Sequence, residues 1–166
     1  MRNITGIGAV LGTAIVIGLV TGFAMTVRAA DEPAQSTYRD IEQTLGVVPG
    51  FFKAFPESGI AGAWAEFKSV QLNPKTSFNA KTKELIGLAV SAQIPCQYCV
   101  YFHTAAAKAN GATEEEIREA VAMAAIARHW STVLNGMQID LASFKRETDT
   151  VLNLASAKAK TTGMAK

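Results

Sequence analysis

Two thiols, an imidazole and a carboxyl lie within one stretch of the chain, Glu84 to His103, ELIGLAVSAQIPCQYCVYFH. It contains both cysteines of the protein, Cys96 and Cys99, as C-x-x-C. His103 follows Cys99 by four positions, and Glu84 stands twelve positions before Cys96 at the head of an uncharged run. These residue types at these spacings fit dithiol–disulfide chemistry. A thiol attacks as its thiolate. With a pKa of about 8.5 only roughly 3% is ionised at pH 7, and lowering it to about 6.5 makes thiolate the major form. Free amides at a helix start supply the partial positive charge that does this. A histidine one turn along can take or return the proton.

That chemistry needs a helix beginning at the first cysteine. Pro95 supports one, because proline lacks an amide hydrogen and suits a first turn while ending the helix before it. The spacing predicts a helix from about Cys96 to Asn110. Residues three, four and seven apart share a face, so Cys96, Cys99 and His103 form one stripe. Glu84 belongs to the preceding helix, expected from about Asn79 to Gln93, with Leu88 and Ser91 on the same face. Lys81 and Lys83 are near enough to pair with Glu84 at the surface, but its place in the motif favours an inward role.

Other uses of the same residues are weaker. A structural disulfide across C-x-x-C closes a four-residue loop, for which the chain-entropy relation gives roughly 2 kcal/mol against about 3 for a 15-residue loop. A cycling disulfide fits better. Cys96, Cys99, His103 and His129 could hold zinc, but structural zinc sites usually bring a second close ligand pair, and His129 stands alone on another predicted helix. Val100 rules out haem attachment, which needs C-x-x-C-H. Neither a metal nor an organic cofactor is expected. Tyr98, Tyr101 and Phe102 read as wall and core residues.

The pattern E-x11-C-x-x-C-x3-H resembles the core motif of the AhpD-like alkylhydroperoxidases, within the carboxymuconolactone decarboxylase superfamily. VVPGFFKAFP (47–56) and KTKELIGLAVSAQ (81–93) are similar to that family too, and the resemblance covers roughly residues 36 to 138. Lactone decarboxylases of the superfamily lack the cysteine pair, which points to the redox branch. Some members carry a histidine between the cysteines, where this chain has Tyr98. The resemblance implies an all-α fold, a homo-oligomer, and a thiol-dependent peroxidase or dithiol–disulfide oxidoreductase. It also implies the roles: Cys99 attacks the peroxide, Cys96 resolves it, and Glu84 and His103 relay the proton. Thioredoxin-like motifs use the first cysteine, which leaves the reverse assignment open. The substrate would be a hydroperoxide or another protein's disulfide, and the reductant an unidentified dithiol.

The rest of the chain bounds where this chemistry occurs. Residues 1–30, MRNITGIGAVLGTAIVIGLVTGFAMTVRAA, hold an uncharged run from Ile4 to Val27 and then Val27-Arg28-Ala29. This reads as a secretory signal cleaved after Ala29 or Ala30, or as an uncleaved N-terminal membrane anchor. Both put residues 31–166, one domain, outside the cytoplasm, in a periplasm-like compartment that permits disulfides. Residues 1–29 carry two of the 16 basic residues and none of the 14 acidic ones, leaving 14 of each. Without a basic surplus, nucleic-acid binding is not expected.

No stretch alternates with period two over a strand's length, so the domain reads as all-α with about six helices. Ser36 is expected to cap the first helix and Gly46 to end it. Residues 47–56 read as a connection buried through Phe51, Phe52 and Phe55. Ser58 is expected to cap a helix with Ile60, Ala63, Trp64, Phe67 and Val70 inward, broken by Asn73-Pro74. The helix of Glu84 is apolar on most sides and is expected to be central and buried. Gly111 should end the cysteine helix. Thr113 and Glu116 form a capping box for a long helix to Gly136, with Ile117, Ala120, Val121, Ala124, Trp130, Leu134 and Met137 inward. Asp140 should cap the last helix, which turns Leu141, Phe144, Thr148, Val151 and Leu152 inward and frays after Ala157.

Two other functions fit the sequence: a lactone decarboxylase-like, non-redox enzyme, and a non-catalytic exported helical module with a structural disulfide. The first would keep its activity without the cysteines. The second would show no thiol turnover.

Overall fold

The computed structural model describes residues 33–161, and these residues form helices without strands. The seven are α1 (Pro33–Leu45), α2 (Gly50–Lys53), α3 (Glu57–Val70), α4 (Ala80–Gln93), α5 (Gln97–Ala109), α6 (Glu114–Gly136) and α7 (Leu141–Thr161). The all-α expectation holds, and the helix beyond six is the single turn α2. The expected signal or anchor, residues 1–30, lies outside the described residues. No helix among the described residues is long and apolar enough to cross a membrane.

Local signals act as local chemistry requires. Gly46 and Gly111 both take φ of +81°, the left-handed conformation that ends α1 and α5 without a Cβ clash. Thr113 and Glu116 close the capping box on α6, and Asp140 accepts the Ser143 amide at 2.8 Å at the start of α7. Two expected caps are displaced. The chain is already helical at Pro33, so Ser36 lies inside α1 and donates to the Pro33 carbonyl instead. Pro56 occupies the N-cap of α3 and Ser58 follows inside it, because Pro56 and the first-turn Glu57 start the helix earlier.

α1, α2 and α3 share a core of Ala34, Ile41, Phe52, Ile60 and Trp64, edged by Tyr38, Val48 and Phe67. Trp64 stacks on Phe67 and meets Phe52 edge-on, with ring centroids 5.8 and 5.5 Å apart. Its Nε1 donates to Asp40 Oδ2 at 2.7 Å, and Lys68 on the next turn of α3 pairs with the same oxygen. These hydrogen bonds, Lys68 first and Trp64 second, hold the Asp40 carboxyl below its usual range. Of the three phenylalanines expected to be buried under the helices, only Phe52 is; Phe51 and Phe55 are exposed, because α2 is one turn long and can bury a single face.

α4 packs mainly against α5 and α6. Its buried residues are Glu84, Leu88 and Ser91, the face expected from their spacing. The expectation that α4 is buried on most sides fails: Ile86 and Val90 are exposed, since α5 and α6 cover only part of the cylinder. The same holds further on. α6 buries Ala124 alone, and Val121, Trp130 and Met137 are exposed. α7 buries nothing, leaves Leu141, Phe144, Val151 and Leu152 exposed, and stays helical past Ala157 to Thr161. An amphipathic period says which face is apolar; it does not supply a covering element within the same chain.

Candidate active site

Three residues of α4 leave the helix in different directions, and one of them, Glu84, enters the site. Asn79 accepts the Thr82 amide at 2.8 Å and starts α4 cleanly. Successive helical residues then diverge by about 100°. Lys81 reaches α6 and pairs with Glu116 at 2.7 Å. Lys83 turns back to the α3–α4 connection and donates to the carbonyls of Val70 and Asn73, each at 2.7 Å. Neither lysine pairs with Glu84, which points inward and is 5% exposed. The surface ion pair considered from sequence is therefore not formed.

Glu84 meets α5. Its Oε2 lies 2.7 Å from Nδ1 of His103. The amide of Gln71, just beyond the end of α3, donates to Glu84 Oε1 at 3.1 Å and lies 3.5 Å from Oε2. The close approach of α4 and α5 depends on Gly87. A Cβ at that position would stand 2.5 Å from Nδ1 and 2.8 Å from Nε2 of the His103 ring. Real carbon atoms do not come this near, so the imidazole occupies the space that a side chain at position 87 would fill.

The cysteines follow from how α4 gives way to α5. The Cys96 amide donates to the Ser91 carbonyl at 3.1 Å, which anchors the connection to the buried face of α4. Cys96 is the N-cap of α5, and its sulfur accepts the Cys99 amide at 3.2 Å. Cys96 and Cys99 are joined as a disulfide with Cα atoms 5.3 Å apart. Both are half-buried, at the helix end where amides lack intrahelical acceptors.

A cavity of about 480 Å³ opens over the pair. Cys96, Cys99, His103 and Gln71 line it together with the rings of Phe51, Phe67, Tyr98 and Phe102. Its wall is mainly apolar, with the sulfurs, the imidazole and one amide as the reactive or polar groups. Glu84 lies behind His103, so the imidazole stands between the carboxyl and the cavity. The structure thus brings together all four residues singled out from the sequence. His129 is not with them; it lines a different cavity beside Pro95, Val121 and Arg128. Tyr98 and Tyr101, expected as wall and core, are both exposed: Tyr98 is wall, and Tyr101 faces another surface depression next to Ala92 and Lys108.

Sequence reasoning missed Gln71 and Gly87. Gln71 is thirteen residues from Glu84 and carries no motif. Gly87 carried a usable signal: a glycine in a helix interior costs about 1 kcal/mol against alanine, which asks for a packing reason.

A profile of the carboxymuconolactone decarboxylase family matches residues 59–140, which run from within α3 through α6 and include Glu84, Cys96, Cys99 and His103. The crystal structure of the alkylhydroperoxidase AhpD core from Rhodospirillum rubrum superposes with a TM-score of 0.58 at 29% identity, covering 66% of this chain and 82% of that one. No curated protein matches. Family profile, fold and motif agree: residues 59–140 are similar to the carboxymuconolactone decarboxylase superfamily, and the chain has an AhpD-like helical fold.

Proposed function

We propose that the protein is a thiol-dependent peroxidase, or dithiol–disulfide oxidoreductase, that cycles Cys96 and Cys99. The family match and the AhpD-like fold support an enzyme of the alkylhydroperoxidase or carboxymuconolactone decarboxylase type. The observation that carries this reading is the placement of the cysteine pair and a carboxylate-bound imidazole on one apolar cavity.

The reduced enzyme attacks first. The Cys99 thiolate displaces alkoxide from the terminal oxygen of a hydroperoxide; the O–O bond breaks, an S–O bond forms, and the alkoxide takes a proton to leave as the alcohol. Cys99 is then a sulfenic acid. The Cys96 thiol attacks its sulfur, and the hydroxyl leaves as water with the proton from Cys96. An external dithiol reduces the resulting disulfide by exchange and leaves as its own disulfide. His103 takes the proton of Cys99 and returns it to the leaving oxygen, while Glu84 orients the ring and stabilises its charged form. Cys99 is one helical turn from His103, and Cys96 is two, which favours Cys99 as nucleophile.

The same reading includes two features of the whole protein. The exposed apolar residues of α6 and α7 fit a homo-oligomer, in which a second copy covers them. The N-terminal sequence fits export to the periplasm, or an anchor that holds the domain there, which sets the enzyme among oxidants and dithiols outside the cytoplasm.

Stopped-flow turnover of the reduced protein with hydrogen peroxide, an organic hydroperoxide and a panel of dithiols tests the proposal. Disulfide formation should track hydroperoxide loss one for one. His103→Gln and Glu84→Gln should each slow it by about 10²-fold. A Cys96→Ser, Cys99→Ser double variant with undiminished activity would instead indicate a decarboxylase-like, non-redox enzyme.

A further inference from the structure

We propose that Gln71 is a positioning residue for His103, acting through Glu84: its amide holds the carboxylate as an acceptor and so selects the imidazole tautomer protonated on Nδ1. The inference rests on the relay role given to His103 above. Three observations lead to it.

The first is the shared carboxylate. Gln71 donates to Glu84 Oε1 at 3.1 Å, and Oε2 lies 2.7 Å from His103 Nδ1. With Oε1 occupied by Gln71, the carboxylate plane is fixed and Oε2 is aimed at the ring. An ionised carboxylate only accepts, so the ring nitrogen facing it must donate. Nε2 is then the ring's free base, the form needed to take a thiol proton.

The second is that the donor is neutral. Lys81 and Lys83 flank Glu84 on the same helix, yet Lys81 is committed to Glu116 and Lys83 to two backbone carbonyls. A cation at Oε1 would compete with the imidazole for the carboxylate. An amide orients it and leaves the imidazole as the partner that gains from its charge.

The third is that Gln71 is itself held. Its amide nitrogen on the backbone donates to the Phe67 carbonyl at 2.9 Å, which caps α3. Lys83 grips the carbonyls of Val70, immediately before it, and Asn73, two residues after it. The side chain therefore starts from a fixed backbone. It also lines the cysteine cavity, so it stands at the boundary between that cavity and a carboxylate that is 5% exposed. Without it, Oε1 would be left without a donor in a buried site. The carboxyl would then be free to rotate, which releases the tautomer.

Nitrogen NMR of the imidazole reads this directly. The chain has two histidines, so a His129→Asn background leaves one ring to observe in the full-length protein. In that background His103 should show the Nδ1–H pattern. Gln71→Met, which keeps length and loses the donor, should convert it to a mixture with the Nε2–H form, and Gln71→Leu should do the same. With hydroperoxide, kcat should fall about 10-fold or more while KM stays within about twofold. A tautomer unchanged in both variants overturns the proposal, as does an unchanged kcat in a variant whose tautomer has shifted. If the parent protein turns over no hydroperoxide or disulfide, the proposed function fails, and the tautomer result alone decides the role of Gln71.

Discussion

Gly87→Ala would put a methyl carbon where the His103 ring now lies. The new atom would stand 2.5 Å from Nδ1 and 2.8 Å from Nε2, so the imidazole must leave its place against α4. Nδ1 sits 2.7 Å from Glu84 Oε2, and hydrogen bonds lose most of their strength once displaced by an ångström. A hydrogen bond to a charged group contributes about 1.5–3 kcal/mol, and each 1.36 kcal/mol is about tenfold in rate. If the relay operates through this contact, kcat should fall by about 10- to 100-fold. Stability should fall as well. Alanine is better than glycine in a helix by about 1 kcal/mol, overpacking costs about 1–3 kcal/mol and the lost hydrogen bond about 1.5–3 kcal/mol, so a net loss of about 1.5–5 kcal/mol is expected. Stopped-flow oxidation and thermal melts followed by circular dichroism measure the two separately. Wild-type turnover in a folded Gly87→Ala variant would refute the reasoning, because the close approach of imidazole and carboxylate could then be sacrificed freely.

Three further outcomes follow from other parts of the molecule. Asp40 has its carboxyl depressed by Lys68 and Trp64, so its contribution to stability is present above the unfolded value near pH 4 and is lost as pH falls through the lower folded value; in a Trp130→Phe background, Trp64 fluorescence should stay native at pH 5 and change only below about pH 4, and Asp40→Asn should remove that step. Light scattering of the domain at micromolar concentration should give an oligomer, and Leu152→Glu on the exposed apolar face of α7 should reduce it; a monomer of the parent protein would refute this. Mass spectrometry of protein from its native host should find a mature start at Ala30 or Asp31, or the full-length chain in membranes; full-length chain in the soluble cytoplasm would contradict export.

What could be read from the sequence was local or periodic. Glu84, Leu88 and Ser91 were expected on one face because a helix repeats every 3.6 residues, and they are the buried residues of α4. Thr113 with Glu116, Asp140, Gly46 and Gly111 act within one turn of chain, and each behaves as its chemistry dictates. Cys96, Cys99 and His103 were grouped by spacing along one helix. Gln71 was not legible, because its link to Glu84 crosses from the end of α3 to α4 and depends on how the two helices pack. Gly87 was marked only by being a glycine inside a predicted helix, and its reason is a ring on another helix. The inward faces assigned to α6 and α7 went wrong for a related cause: the period placed Trp130, Met137 and Val151 on the apolar faces of their helices, but it does not supply an element of this chain to cover them, and all three are exposed. Ser36 and Ser58 are suited to caps, yet Pro33 and Pro56 set the helix starts ahead of them.

The redox use of the cysteine pair is tested most directly by trapping the first intermediate. The reduced Cys96→Ser variant is mixed with one equivalent of hydroperoxide and a sulfenic-acid probe, and the labelled peptide is identified by mass spectrometry; Cys99→Ser is treated in parallel. Cys99 should be labelled in the first variant, and Cys96 should remain mostly unlabelled in the second. Labelling of Cys96 in Cys99→Ser at the faster rate would reverse the assignment of nucleophile, and absence of label in both variants would contradict thiol-based peroxide reduction at this site.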